Sequence, residues 1–565
     1  MISVSYLNRL NETYNSLISG KIDKPESALL KETEELFFKN HEVYVKKYLG
    51  LLYFFSNDYF LSYSLLKNET DELSKFFFMF SLVRLRYIKE AKKYMELFNN
   101  IKILKNVSIS IAYRAELAFL LGLDKTKLTG ETDDLFVNAL IHLTDNFNIY
   151  CNENKFIDAI YSGNNRLIIN EYKRRMKNAE PTNYEIIKHD YSDDFLSVHS
   201  NSTKIGNNMY LLTINGSNFI VDCGADTKDS AINFDEFFTR YNLTKNNIEA
   251  VFFTHSHLDH IGNALNLLSF LDYSVPFYLT VDTQNLAGDG NQIYIDGRKL
   301  RYITYNTGVS FGNNIQATFV KNGHILGSSC IVFKSCGKTV LFTSDFCLHD
   351  QSTVKGMSLS QVGSYIGSKL NYLITESTYG HNDTALNYED NLILFNLICE
   401  KLFKYNTKVF LPAYAIGRAQ EILNAISENE SIPKPIINVL GRANNVSLYY
   451  QNLEKCKSIK IYNDRDNPLN YDFIIASSGR LIEDSESYIL VNDLLKNKIN
   501  NVAIIQTGYL PPNEEGASLI REWCNSGNLY FEASLSAHAS LDELHKVIDY
   551  FEPKKIISIH GDGIL

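Results

Sequence analysis

The sequence predicts an α/β architecture that carries an inserted α/β segment and is preceded by an all-α region. Short apolar runs end in loops bearing His and Asp, as in open sheets whose chemistry sits at the carboxyl ends of strands. Strand-like and helix-like stretches alternate from about residue 186 onward. Residues 1–185 instead are poor in Gly and Pro and repeat their apolar side chains at helical spacing. At 565 residues the chain exceeds one core, and roughly two to four domains are expected.

Composition narrows the function classes. Hydrophobic content of 45% and charged content of 21% describe a soluble globular protein. The net charge of −10 excludes recruitment of nucleic acid by a global positive field. A polyanion would have to be held by a local basic groove and by bound metal. The eight cysteines are scattered and form no Cys-x-x-Cys pair, which fits reduced thiols in the cytoplasm. Met1-Ile2-Ser3-Val4-Ser5 does not begin a secretory signal, and no apolar run approaches membrane-spanning length, so no membrane is expected.

The helical region, 1–185, rests on sets such as Tyr48, Leu49, Leu51, Leu52, Phe55; Leu73, Phe76, Phe77, Phe80, Val83; and Ala112, Ala115, Leu117, Phe119, Leu120. Turns at Asn57-Asp58, Asn99-Asn100 and Gly122-Leu123-Asp124 separate them. Two readings stand: stacked hairpins in the manner of tetratricopeptide repeats, or an ordinary helical domain packed on the α/β body. Either would bind a protein partner or mediate oligomerisation. Lys173-Arg174-Arg175-Met176-Lys177 lies in the last helix, as a solvated face or a patch for a nucleic-acid backbone.

Around Ala179-Glu180-Pro181 the pattern changes to strands and turns. Met209–Ile214 and Asn218–Asp222 around Gly216 read as a hairpin, opening an α/β region over 186–379. A second α/β region, 380–528, contains a helix over 386–405, a strand over 408–411 and a helix over 418–428. The return segment, 529–565, reads as strand, helix over 541–551 and strand over 555–559.

The chemistry centres on Thr254-His255-Ser256-His257-Leu258-Asp259-His260, directly after the apolar run Ala250–Phe253. His255 and His257, two apart in extended backbone, leave the same side and can share one metal ion. Asp259 and His260 follow at the turn and can face a second. His324, Asp345 and His560 each lie at or just after the end of another apolar strand. A dinuclear set follows: His255, His257 and His324 on one ion, Asp259, His260 and His560 on the other, Asp345 bridging. His and Asp suit two zinc ions, with manganese as the alternative.

Val221-Asp222-Cys223-Gly224, the His-x-His-x-Asp-His cluster, His324 and Asp345 resemble the ordered motifs of the metallo-β-lactamase superfamily. The resemblance covers about 190 to the end and implies an αββα sandwich with hydrolysis at a dinuclear site on its rim. Asp222 is then expected to hold the His255–His257 loop through backbone N–H groups. Thr375-Glu376-Ser377-Thr378-Tyr379-Gly380 and Ser536-Ala537-His538-Ala539 resemble the first and second motifs of the β-CASP nucleases, and His560 stands at the third. Leu411–Glu421 resembles a strand–turn–helix of their inserted domain, most of all in the cleavage-and-polyadenylation endonuclease and its prokaryotic relatives.

This resemblance implies a metal-dependent ribonuclease, endonucleolytic by the leading reading, in which two metals supply the hydroxide and clamp the phosphate. Asp259 serves the reacting centre as well as the metal. His538 protonates the leaving 3′ oxygen, and Glu376 orients His538 and favours its charged form. Histidine at the third motif goes with single-stranded RNA in that family, and valine with DNA. Arg418 and Ser536 are candidate phosphate contacts, Arg418 having an ion pair with a carboxylate as its alternative role. A 5′-exonuclease would carry a Gly-His pair after the second motif, where this chain has Ala539-Ser540-Leu541. A single-stranded DNA nuclease, as in host defence, is the runner-up. A small-molecule hydrolase is disfavoured by the 380–528 insert, and a scaffold subunit by the complete ligand set.

Three departures from the family pattern stand out. Ser344 precedes Asp345 where Gly is usual. Ser477-Ser478-Gly479-Arg480 has Arg where Met is common. The strand before His560 is followed by few residues, so it is expected to depend on the N-terminal helical region for cover.

Overall fold

In a computed structural model of the chain, the described residues are 4–87, scattered positions from 90 to 121, and 186–561 apart from 189, 202–205, 226–231, 289–299, 368–369 and 381–385. The basic run 173–177 and the turns at 99–100 and 122–124 lie outside them.

Two seven-stranded sheets face each other. One runs, in spatial order, Ile186–Lys188, Lys555–Ile559, Tyr372–Glu376, Lys338–Phe342, Ser329–Ser335, Ile315–Lys321, Gly308–Phe311. The other runs Tyr191–Ser192, Leu196–Ser200, Tyr210–Ile214, Ser217–Val221, Ile248–Phe252, Phe277–Leu279, Leu300–Tyr302. Alternate residues explain the layering. Leu212, Phe219, Val221 and Phe252 from one sheet pack with Phe319, Phe333, Phe342 and Ile557 from the other in one buried core. Their neighbours in sequence point outward to helices: Leu211, Ile220 and Val251 to Phe237, Phe238 and Leu267, and Val332, Leu341 and Ile556 to Val362, Leu544 and Val547. Strands buried on both faces have to be apolar throughout, which is why they read as continuous apolar runs. The result is the expected αββα sandwich.

A third, all-parallel sheet orders as Ile461–Tyr462, Ile437–Val439, Phe473–Ala476, Lys408–Pro412, Val502–Gln506, Leu529–Glu532. Helices Tyr388–Lys404 and Arg418–Glu428 flank its central strand in sequence. The 528/529 division drawn from sequence differs from this arrangement, because Leu529–Glu532 pairs with Val502–Gln506 in the third sheet.

The described N-terminal residues are helical, and consecutive helices Lys46–Phe55, Tyr59–Leu66 and Glu72–Arg84 pack on one another. Their lengths of 10, 8 and 13 residues set no fixed repeat. They share one core with the third sheet and its helices: Phe37 and Phe38 meet Phe531 at ring separations of 6.2 and 6.1 Å, and Lys401 and Lys404 pair with the buried Glu34. The expectation that these helices cover the strand before His560 is therefore corrected. Lys555–Ile559 is interior to its sheet, paired in parallel with Ile186–Lys188 on one side and Tyr372–Glu376 on the other. Among the described residues no helix is long and apolar enough to cross a membrane.

Candidate metal centre

Five strands deliver the site residues at their carboxyl ends, where one sheet edge gathers them. Ile248–Phe252 leads into Thr254–His260, Ile315–Lys321 into His324, Lys338–Phe342 into Asp345, and Lys555–Ile559 into His560, while Glu376 ends Tyr372–Glu376. Three groups of donor atoms result, each within 4.8 Å: His255, His257, His324 and Asp345; Asp259, His260 and His560; and Asp345, Glu376, His538 and His560.

The hydrogen bonds around the first group define which ring nitrogens are free. A carbonyl can only accept, so His257 donates Nε2–H to the Ile416 carbonyl at 3.3 Å, and His324 donates Nδ1–H to the Ala537 carbonyl at 2.9 Å. In neutral rings His257 Nδ1 and His324 Nε2 then carry lone pairs, and these face each other at 3.0 Å. His255 Nε2 is buried without a hydrogen-bond partner. Burial pushes His257 down to about 4 and holds His255 and His324 well below the usual imidazole range, so all three are neutral. Converging, buried lone pairs are unfavourable alone and are the donor set a cation takes up.

The second group is carboxylate-rich. His260 donates Nδ1–H to Asp222 Oδ2 at 2.8 Å and turns Nε2 toward Asp345 Oδ2 at 3.1 Å and Asp259 Oδ2 at 3.6 Å. His560 Nε2 lies 3.3 Å from Asp259 Oδ2. Burial alone would push His260 down, but Asp345, Asp259 and Asp222 outweigh it and raise it well above the usual range. Asp345 touches both groups: Oδ2 is 3.6 Å from His255 Nε2, and Oδ1 is 3.2 Å from His560 Nδ1. Such crowding of carboxylates calls for more positive charge than the histidines supply.

Residues 203–350 match the metallo-beta-lactamase superfamily. The chain is 24% identical to the probable RNase MJ4 of Methanocaldococcus jannaschii, over 64% of this chain and 91% of the relative. It is 22% identical to cleavage and polyadenylation specificity factor subunit 3 of Dictyostelium discoideum (66% and 54%) and to Integrator complex subunit 11 of Danio rerio (64% and 67%). It thus spans nine-tenths of the archaeal relative and about half to two-thirds of these eukaryotic ones. A solved protein of unknown function from Enterococcus faecalis V583 aligns with a TM-score of 0.45 and 14% identity, over 65% of this chain and 93% of that one.

The stretch that supplies most of the cluster thus matches the metallo-beta-lactamase superfamily, and relatives of the chain bear RNase and endoribonuclease names.

Beside this cluster stands a second pair, His538 and Glu376. His538 Nδ1 lies 2.9 Å from Glu376 Oε2 and 4.0 Å from Asp345 Oδ2. Glu376 is held in turn by the Phe346 N–H at 2.8 Å and the Thr378 hydroxyl at 2.6 Å. Burial pushes the His538 imidazole down, but Glu376, Asp345 and Asp259 together outweigh it and raise it to about 9.

Asp222 does more than brace a loop. It accepts from the Thr254 N–H at 2.8 Å and the Thr254 hydroxyl, and it also fixes the His260 ring. Gly224 is required by close approach, since a Cβ there would lie 1.6 Å from the Asp259 carbonyl oxygen. Ser344 adopts φ +53°, a left-handed conformation that glycine takes freely, and its hydroxyl donates to Thr254 Oγ1 at 2.7 Å. Arg480, the other departure, pairs with Glu514. Arg418 donates to the Thr507 carbonyl, and Ser536 Oγ accepts from the His538 N–H at 3.2 Å.

Sequence reasoning missed four supporting residues. Asn208 donates to Asp259 Oδ2 at 3.3 Å and lies 3.3 Å from His260 Nε2. Asn322 donates to the Asp345 carbonyl at 2.7 Å. Thr378 contacts Glu376 and lies 3.0 Å from His560 Nδ1. His349 bridges Glu543 and the Ser536 carbonyl, at 3.1 Å each, and stacks on Tyr388. Only Thr378 carried a signal, its place in the first motif.

Proposed function

We propose that the chain is a metal-dependent endoribonuclease acting on single-stranded RNA. The observation that carries this is the His538–Glu376 pair, 2.9 Å apart, beside the buried His/Asp cluster. Two zinc ions, or manganese ions as the alternative, fit the donor set. His255, His257 and His324 would hold one, Asp259, His260 and His560 the other, with Asp345 between them. When bound, the ions supply Lewis-acid charge to a phosphodiester and make water a stronger acid. Asp222, Asn208 and Asn322 orient the ligands. His538, kept protonated by Glu376, gives its proton to the leaving 3′ oxygen. Arg418 and Ser536 are proposed as phosphate contacts, through the Arg418 N–H groups that Thr507 does not take and the Ser536 hydroxyl hydrogen. Histidine at position 560 favours RNA over DNA, and the RNase and endoribonuclease names of the relatives support that choice. We place the protein in the cytoplasm, consistent with free cysteines at 223, 330, 336, 347, 399, 456 and 524. The N-terminal helices, seated on the third sheet, are proposed to serve a protein partner or an oligomer contact.

The test is incubation of the zinc-loaded protein and its His538→Ala variant with circular single-stranded RNA. Linearisation by the native protein alone is expected. An intact RNA circle alongside a linearised circular single-stranded DNA would replace RNA by DNA, and two intact circles would overturn endonuclease action.

A further inference from the structure

We propose that Tyr414 and Tyr379 form an aromatic base clamp beside the centre, stacking nucleobases next to the phosphate to be cut. The inference rests on the ribonuclease reading and adds to it the part of the substrate that is gripped.

Tyr414 lies between the strand Lys408–Pro412 and the helix Arg418–Glu428. Two residues on, the Ile416 carbonyl accepts from His257, so the metal centre itself anchors this loop. The Tyr414 ring is 6.4 Å from the His257 ring, yet 38% of the residue is exposed. Two glycines support it. A Cβ at Gly479 would lie 3.3 Å from Tyr414 Cδ2, and one at Gly508 3.4 Å from Cε2. Tyr379 adjoins the same centre, with its ring 6.3 Å from that of His538 at 74°. One tyrosine therefore adjoins a ligand of the first metal group and the other adjoins the proton donor.

Charge gives the reason for such a clamp. The chain is acidic at −10, Arg480 is engaged by Glu514, and Arg418 is tied to the Thr507 carbonyl. Beside these partly committed arginines, stacking on tyrosine adds a grip that serves every base.

The experiment compares an oligouridylate with an abasic ribose-phosphate oligomer of equal length, using the zinc-loaded native protein, Tyr414→Leu and Tyr414→Phe. The native protein should prefer the base-bearing oligomer by about tenfold or more in kcat/KM. Tyr414→Leu should lose most of that preference, chiefly through KM, and Tyr414→Phe should keep it. Undiminished preference in Tyr414→Leu would overturn the clamp while leaving the nuclease reading intact. Cleavage of neither oligomer by the native protein would overturn both.

Discussion

Replacing His538 by alanine separates two chemistries that the geometry places side by side. His538 belongs to a group with Asp345, Glu376 and His560 whose donor atoms lie within 4.8 Å, so it has the reach of a metal ligand. Its Nδ1, however, is engaged by Glu376 at 2.9 Å and stands 4.0 Å from Asp345, and three carboxylates raise it to about 9. The engagement of Nδ1 by Glu376 is what marks it as a proton donor, since His260, a proposed ligand, is raised by carboxylates in the same way. If His538 is the acid, His538→Ala keeps its metal content. It then loses roughly 10²- to 10⁴-fold in kcat, the usual worth of a positioned acid, or about 3–5 kcal/mol of barrier. The assay is metal content by mass spectrometry alongside single-turnover cleavage of a fluorescent RNA. A fall in bound metal per chain, matching the loss of rate, would refute the reasoning and make His538 a ligand.

Cleavage should decline on the alkaline side as His538 loses its proton, and in Glu376→Gln that limb should move to lower pH; an unmoved limb would count against the pairing. Gly224→Ala should abolish metal binding, because the new Cβ must displace the Asp259 backbone; normal metal titration by calorimetry would contradict this. Burial pushes Glu34 up, but Lys401, Tyr53 and Tyr405 together hold it below the usual carboxylate range. Its stabilisation is therefore present above the ordinary Glu value of about 4.3 and is lost as pH falls through the depressed folded value. Glu34→Gln should cost about 3 kcal/mol at neutral pH and flatten the acid limb of stability, measured by urea unfolding across pH. Phe38→Ala should cost about 3–5 kcal/mol by opening the shared core, and a change below 1 kcal/mol would argue that the helices sit loosely on the third sheet.

Much of this protein was legible in one dimension because its ligands punctuate apolar strands. Phe252, Phe342 and Ile559 close runs buried on both faces, and the metal-binding types follow within a few residues. Residue type and order therefore determined which side chains meet and what chemistry they share. Helix limits at 541–551 followed equally from local signals, Ser540 and Glu543 forming a capping box. Tertiary structure alone decided the rest. Which nitrogen of His257 or His324 is free depends on the carbonyls of Ile416 and Ala537, brought from distant segments. Asn208 and His349 acquire their roles the same way. Ile186–Lys188 beside Lys555–Ile559, and Phe531 against Phe38, join residues hundreds of positions apart. Such pairings are set by which apolar faces are left uncovered once each sheet has formed, and no local periodicity encodes that choice.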